Sequence, residues 1–373
     1  MVKRAAHNLK GNLTYGSLLL FTFTLFAGCD YNDNALEVNL DRDILLVATS
    51  KIRWTGVAVS RTRRFACYPN WSADHSASVI DLTDTAHVVP FPDEAWNTWA
   101  DDSNPADHFI CVQSVVADKN DFLWVLDAAN SQREGEYLGV LSGGAKLVKF
   151  DLQTSAVVQK IIFPDSVVKK NSYLNDVRID EDRHMAYITD SNEGALLVVD
   201  LLQEHTRRVL DGDPSTQSEN KILYVEGMPF KNAKGEYPQI HVDGIALNET
   251  HVYYRPLTGE GLYRIPKYVL NSDLMTETEL RSHVEKLGSF PPSDGMMFGF
   301  YDELYLTSIE ENAIRVYGNG NYTRLVKKRD DLKWPDSFSL GPDGYLYFTT
   351  SQLHLQQPAG PFKLFKIDVR HDR

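Results

Sequence analysis

Leu174-Asn-Asp-Val-Arg-Ile-Asp-Glu-Asp-Arg-His-Met-Ala-Tyr-Ile-Thr-Asp-Ser191 decides how the rest of the chain is read. A polar pair opens a short strand of period two, a charged turn follows, and a second strand ends in Thr-Asp-Ser. The same phrase returns along the chain. It stands at Trp54–Tyr68, Val112–Asp127, Val242–Arg255, Ser293–Ser308 and Pro335–Ser351, which with the opening copy makes six. The joining turns are rich in Asp, Asn and Gly, the residues that close tight hairpins. Most copies are followed by a third apolar strand, such as Lys146–Leu152, Ala195–Leu201 or Phe362–Asp368, and often by a fourth. A four-stranded antiparallel meander repeated about every 40 to 70 residues is the pattern of a β-propeller.

The sequence therefore predicts an all-β fold, a six-bladed β-propeller forming a single domain over residues 35–373. The sixth copy reaches only its third strand before the chain stops. Alternating Ala35–Leu40 is the candidate outer strand of that last blade, so that the two ends of the chain close the ring and remove exposed sheet edges. One helix is expected, over Thr276–Leu287, with acids early and Lys286 late.

Bulk composition agrees with a folded domain: of 373 residues, 43% are apolar and 24% charged. The net charge of −13 comes without any run of Lys and Arg interleaved with aromatic residues, which argues against nucleic-acid binding. Residues 1–28 read as a signal sequence: Lys3, Arg4 and Lys10 precede an apolar stretch from Ser17 to Gly28 that is short for a permanent span. Without them the net charge becomes about −16, because they carry three basic residues and no acidic one. The stretch ends in Phe26-Ala-Gly-Cys29, which resembles a bacterial lipobox, so Cys29 is the expected lipidation site and residues 29–34 a tether. The protein is then expected to be exported, either secreted or anchored by lipid to a membrane on the periplasmic side of the cell envelope, and monomeric. The two remaining cysteines, Cys67 and Cys111, either pair in that oxidising compartment or lie buried as small hydrophobes.

Aligned copies of a propeller bring aligned residues to one mouth of the central channel. Those residues are Thr55, Gln113, Asn175 or Asp176, Asp243, Asp294 and Asp336. Carboxylates converging on an axis must share protons, bind a cation, or accept backbone hydrogen bonds. A hard cation such as Ca²⁺ suits an all-oxygen ring, as does an organic amine. Singly, each Asp or Asn could instead cap a turn. Arg255 replaces the Asp or Ser that ends the second strand of other copies, and either faces a ring carboxylate or an anionic group or makes a structural ion pair. His241 and His354 flank repeat phrases and are candidate bases. No nucleophile elbow, zinc-protease helix or phosphate-binding glycine loop is present.

Leu174-Asn-Asp with Thr189-Asp-Ser191, Tyr254-Arg-Pro-Leu-Thr-Gly259 with Leu262-Tyr-Arg-Ile-Pro266, and Trp334-Pro-Asp-Ser-Phe338 with Leu346–Ser351 resemble the yellow / major royal jelly protein family, from about Trp54 onward. That resemblance implies a six-bladed propeller. It includes both dopachrome-converting enzymes and binders of amines. A more distant similarity to gluconolactonase-type propellers implies one divalent cation, usually Ca²⁺, at the channel mouth. Asn175 and Asp243 match two of its ligands, whereas Trp54-Thr-Gly56 stands where that group has a Glu. Two functions follow as expectations. One is a lactonase-like hydrolase, or an isomerase or tautomerase, with Asp243 as acid/base, Asn175 polarising the substrate and Arg255 and His241 assisting. The other is a non-catalytic binder of a small amine-like ligand or of a cell-envelope partner. In either, Gln113, Asp176, Asp294, Asp336 and His354 would contact the ligand.

Overall fold

A computed structural model of the protein describes residues 42–370 except Asp101 and Asn319. It is a six-bladed β-propeller of four-stranded antiparallel sheets. Blade 1 runs Val57–Val59, Arg64–Cys67, Val79–Asp81 and Val89–Pro90; blade 2 runs Val112–Ala117, Phe122–Asp127, Lys146–Asp151 and Val157–Ile162. Blade 3 is Leu174–Asp180, Met185–Asp190, Ala195–Asp200 and His205–Val209, and blade 4 is Val242–Leu247, His251–Pro256, Gly261–Pro266 and Glu285–Ser289. Blade 5 is Met296–Phe298, Leu304–Ser308, Ala313–Gly318 and Asn321–Val326. Blade 6 is Pro335–Leu340, Tyr345–Thr350 and Phe362–Asp368, completed on its outside by Ile44–Ser50.

Ring closure by an N-terminal strand is thus present, with Ile44 opposite Ile367 and Ser50 opposite Phe362. The strand that does it lies just after the expected Ala35–Leu40, a stretch that, like residues 1–28 and Cys29, is outside the described residues. The expected helix is shorter than its charge pattern suggested. It spans Glu277–Ser282, opened by a capping box between Thr276 and Glu279. Glu285–Ser289 pairs instead as the outer strand of blade 4, because sheet hydrogen bonding to Gly261–Arg264 outweighs weak local helix propensity. Among the described residues no helix is long and apolar enough to cross a membrane.

Period-two alternation gives each blade two apolar faces, and each face is buried against the next blade. One hydrophobic cluster fills each of the six junctions: Trp124, Leu126, Ile188 and Val199 join blades 2 and 3, while Val57, Ile80, Tyr347 and Leu364 join blades 6 and 1. Each such side chain contributes about 1.5–3 kcal/mol on burial, so the ring is held mainly by these junctions.

The refrain that ends the second strands is structural. Asp127 accepts from the backbone N–H of Ile110 and Cys111 at 2.8 and 2.9 Å and from Lys146 Nζ at 2.7 Å. Asp190 likewise accepts from Tyr173 N–H at 2.9 Å and Arg208 Nη1 at 2.7 Å. Each thereby staples the loop leading into its blade. Cys67 and Cys111 are separate, fully buried thiols, so the pairing alternative does not hold. Burial pushes both thiols up to about 12.

Candidate active site at the propeller mouth

The inner strands are irregular where the site is built. Their pairing with the second strand slips at Gln113 in blade 2, at Asn175 and Asp176 in blade 3, at Asp243 in blade 4 and at Asp336 and Ser337 in blade 6. A bulge re-aims side chains, and here most of those turn toward the axis. Two glycines let the acidic strands close in. A Cβ on Gly244 would sit 2.5 Å from the Asp294 carbonyl oxygen, and one on Gly295 would sit 2.0 Å from that of Asp336. The missing side chains of Gly244 and Gly295 permit that approach, which helps bring Asp243, Asp294 and Asp336 onto one cavity.

That cavity has a volume of about 730 Å³, large enough for a small organic molecule. Gln113, Asn175, Asp243, Asp294 and Asp336 line it, as the alignment of copies predicts, and so does His354, the candidate base beside the last repeat phrase. A polar chain runs around its base. Trp71 Nε1 donates to Tyr173 Oη at 2.8 Å, which donates to Gln113 Oε1 at 2.8 Å, and Gln113 Nε2 donates to Asn175 Oδ1 at 3.1 Å. Asn175 Nδ2 donates to Asp243 Oδ2 at 2.7 Å and to Ser191 Oγ at 3.1 Å. The Asp243 and Asp294 carboxyls adjoin closely enough to shift one another's protonation, and Asp294 Oδ2 accepts from Trp334 Nε1 at 2.6 Å.

Burial dominates the protonation of these acids. It holds Asp243 and Asp336 well above the usual carboxylate range, reinforced by the charge of Asp294 on each. Asp294 is pushed up to about 7 by burial, against the opposing hydrogen bonds from Trp334 and Asp243. The mouth therefore carries a hydrogen-bonded carboxyl pair in which one member titrates near neutrality. Pairs of acids whose surroundings separate their proton affinities are the usual basis of acid–base chemistry.

Four expected residues lie elsewhere. Asp176 points below the cavity, accepting from Ser114 Oγ at 3.3 Å and pairing with Arg178 at 3.3 Å; Arg178 Nη2 also donates to Met296 O at 2.8 Å and so crosses the channel to blade 5. Arg255 faces no ring carboxylate. It is wholly buried, and its Nη2 donates to Gly259 O and Phe290 O at 3.1 and 3.0 Å, so it ties blade 4 to the segment entering blade 5. Burial lowers it to about 10. His241 does not line the cavity, and its Nδ1 accepts the Ser218 backbone N–H at 2.9 Å, a structural bond. Thr55 donates to Gln113 O at 3.1 Å and is likewise structural.

The residues do not fit the cation site that the gluconolactonase resemblance implied. Among the described residues no group of three or more His, Cys, Asp or Glu side chains is disposed to hold a metal. Asn175 turns its amide nitrogen to Asp243, and Thr55, in the phrase where the Glu is absent, spends its hydroxyl on the Gln113 carbonyl.

Loops complete the walls. A hairpin in blade 2, Gln132–Arg133 with Glu136–Tyr137, and the long connection from blade 3 to blade 4 stand over the mouth. Lys234 of the connection pairs with Glu136 of the hairpin at 2.9 Å. The connection carries its own hairpin, Tyr224–Val225 with Met228–Pro229, and Glu226 at its turn accepts from His354 Nε2 at 3.2 Å and Asn312 Nδ2 at 3.1 Å and pairs with Lys333. One wall is aromatic, with Tyr137 and Trp71 centred 4.8 and 6.2 Å from Tyr173; the other holds Phe230, Ile240, Leu257 and Leu353. Trp71, Tyr137 and Phe230 escaped the repeat alignment because they lie in blade-specific loops. Arg53, Tyr173 and Trp334 could have been found, since each stands two residues before an aligned position.

The family profile described as "Major royal jelly protein" matches residues 110–358, well over half of the chain. The chain belongs to the major royal jelly protein family. No curated protein matches it in sequence. Among solved structures, a luciferin-regenerating enzyme is similar at TM-score 0.54 and 10% identity, over 88% of this chain and 96% of that one. A gluconolactonase from Xanthomonas campestris is similar at TM-score 0.54 and 9% identity, over 89% and 91%. A protein of unknown function from Bacteroides thetaiotaomicron matches at TM-score 0.54 and 10% identity, over 89% and 73%. These likenesses are of fold.

Proposed function

We propose that this member of the family is an acid–base enzyme, of isomerase or lactone-hydrolase type, acting on a small molecule held in the mouth cavity. The supporting observation is the Asp243–Asp294 carboxyl pair, fixed from both sides by Asn175 Nδ2 and Trp334 Nε1. Asp294, titrating near 7, takes a proton as carboxylate and returns it as acid, while Asp243 stays protonated and hydrogen-bonds it. Asn175 orients Asp243. The aromatic wall and the facing apolar side chains hold a flat or cyclic substrate over the pair.

The test is a panel of lactones and enolisable carbonyl compounds incubated with the purified protein, read by proton NMR for ring opening or isomer formation. Turnover that disappears in Asp294→Asn and falls in Asn175→Ala supports the reading; turnover unchanged in both overturns it.

A second reading is favoured by one observation, the aromatic wall of Trp71, Tyr137 and Tyr173 beside three carboxyl groups, which suits a cationic amine. Such a ligand would drive the acids to ionise. Calorimetry in buffers of different ionisation enthalpy would then show about one proton released per amine bound. Neutral-ligand turnover without proton release leaves the first reading in place.

Export with a lipid anchor at Cys29 completes the proposal, resting on the basic and apolar leader that precedes it. Metabolic labelling with a fatty acid, abolished in Cys29→Ala, is the expected result. Unlabelled protein recovered in the cytoplasm is the contrary one.

A further inference from the structure

Blades 3 and 6 stand opposite one another in the ring and carry matched side-chain pairs at the mouth. In blade 3 the pair is Asn175 and Ser191, joined by a 3.1 Å hydrogen bond. In blade 6 it is Asp336 and Ser351. The Ser351 hydroxyl lies beside the Asp336 carboxyl, yet Asp336 Oδ2 and Ser351 Oγ are both buried without an aligned hydrogen-bond partner. Asp336 is 3% exposed and lines the cavity, and its other oxygen accepts from Ser337 Oγ at 3.1 Å. The nearest guanidinium on that wall, Arg53, is spent on the backbone carbonyls of Ser351 and Leu355, at 2.9 and 3.5 Å.

A buried polar atom whose neighbour is poorly aligned forfeits part of a hydrogen bond worth about 1–3 kcal/mol, and on a cavity wall that capacity is open to a group arriving from outside. A buried carboxyl with no cation bonded to it keeps its proton, which makes it a donor.

We propose that Asp336 donates a hydrogen bond from Oδ2 to a carbonyl oxygen of the substrate, with Ser351 as its positioning neighbour, and that the substrate class is an enolisable carbonyl compound. This rests on the acid–base reading above and narrows it. The Asp294 carboxylate takes the proton from the carbon beside the carbonyl. The C–H electron pair becomes the C=C bond of an enolate whose oxygen Asp336 holds. Where a C=C bond stands β,γ to the carbonyl the enolate is extended, and Asp294 returns the same proton to its γ-carbon, moving the double bond into conjugation and giving an isomer with no oxidant or reductant required. Removing one such donor typically lowers turnover by about 10²–10³-fold.

Two probes test it separately. The anion of 4-nitrophenol mimics an enolate oxygen, and its absorbance reports binding. Wild-type protein is expected to bind the phenolate, Asp336→Asn about 10-fold more weakly, and Ser351→Ala detectably more weakly. Deuterium uptake by 2-tetralone in D₂O, followed by NMR, reports proton transfer and is expected to vanish in Asp294→Asn. No phenolate binding by wild type, or equal binding by wild type, Asp336→Asn and Ser351→Ala, overturns the assignment of Asp336 while Asp294-dependent uptake keeps the acid–base reading. Phenolate binding that needs Asp336, with uptake indifferent to Asp294, sustains the oxygen pocket and removes the acid–base reading instead.

Discussion

Asp294→Asn should change the pH dependence of stability in a defined direction. Asp294 is buried and its carboxyl is raised from 3.8 to about 7. The unfolded chain ionises this group near 3.8 and the folded protein only near 7, so between these values the folded state holds a proton that the unfolded state has released. Stability present below pH 3.8 is therefore lost as pH rises through about 7. At about 1.36 kcal/mol per pH unit over roughly three units, the loss from this one group approaches 4 kcal/mol. Asparagine keeps the shape and still accepts from Trp334 Nε1, but has no charge to bury. The variant should match wild type near pH 4 and exceed it increasingly up to pH 8, by as much as about 4 kcal/mol. Urea denaturation of both proteins at half-unit pH steps measures that difference. A gap that is constant with pH, or one that widens toward acid, would show that Asp294 ionises normally and would falsify the acid-pair description of the mouth.

Three further outcomes are expected. Gly295→Ala places a Cβ against the Asp336 carbonyl, at 2.0 Å before relaxation, and should cost about 1–3 kcal/mol in denaturant midpoint measurements while weakening ligand binding. Arg255→Ala leaves two buried carbonyls without their donor and a cavity in its place; thermal unfolding should show a loss of about 3–5 kcal/mol, with ligand affinity of the surviving folded protein unchanged. Lys234→Ala removes an ion pair whose side chains are 57% and 52% exposed, so stability should move by less than about 1 kcal/mol; stopped-flow binding would detect any change in access to the cavity.

Much of the architecture was legible because a propeller writes its repeat into the chain. Period two and the Asp/Asn/Gly turns marked the strands, and six copies meant six blades. Copy alignment also points Gln113, Asn175, Asp243, Asp294 and Asp336 to one cavity, since equivalent positions in a ring face the same axis; His354, beside a repeat phrase, joins them there. Alignment could not say which of two adjacent polar residues a bulge would turn inward, so Asp176 was grouped with the mouth although it points below it.

Arg255 breaks the Asp/Ser refrain, which in sequence suits a site residue or a structural ion pair alike; in the fold its guanidinium ties blade 4 to the Phe290 carbonyl. His241 lay next to a ring position in sequence, yet its ring nitrogen is taken by Ser218. The sequence by itself determined the strands, the blade number and which acids converge, because those follow from local periodicity and repetition. Only the tertiary structure decided the protonation of the acids, the unpaired Oδ2 of Asp336 and the walls built by Trp71, Tyr137 and Phe230. Burial, distance and the meeting of loops from separate blades are properties of the closed ring, and no local stretch of chain contains them.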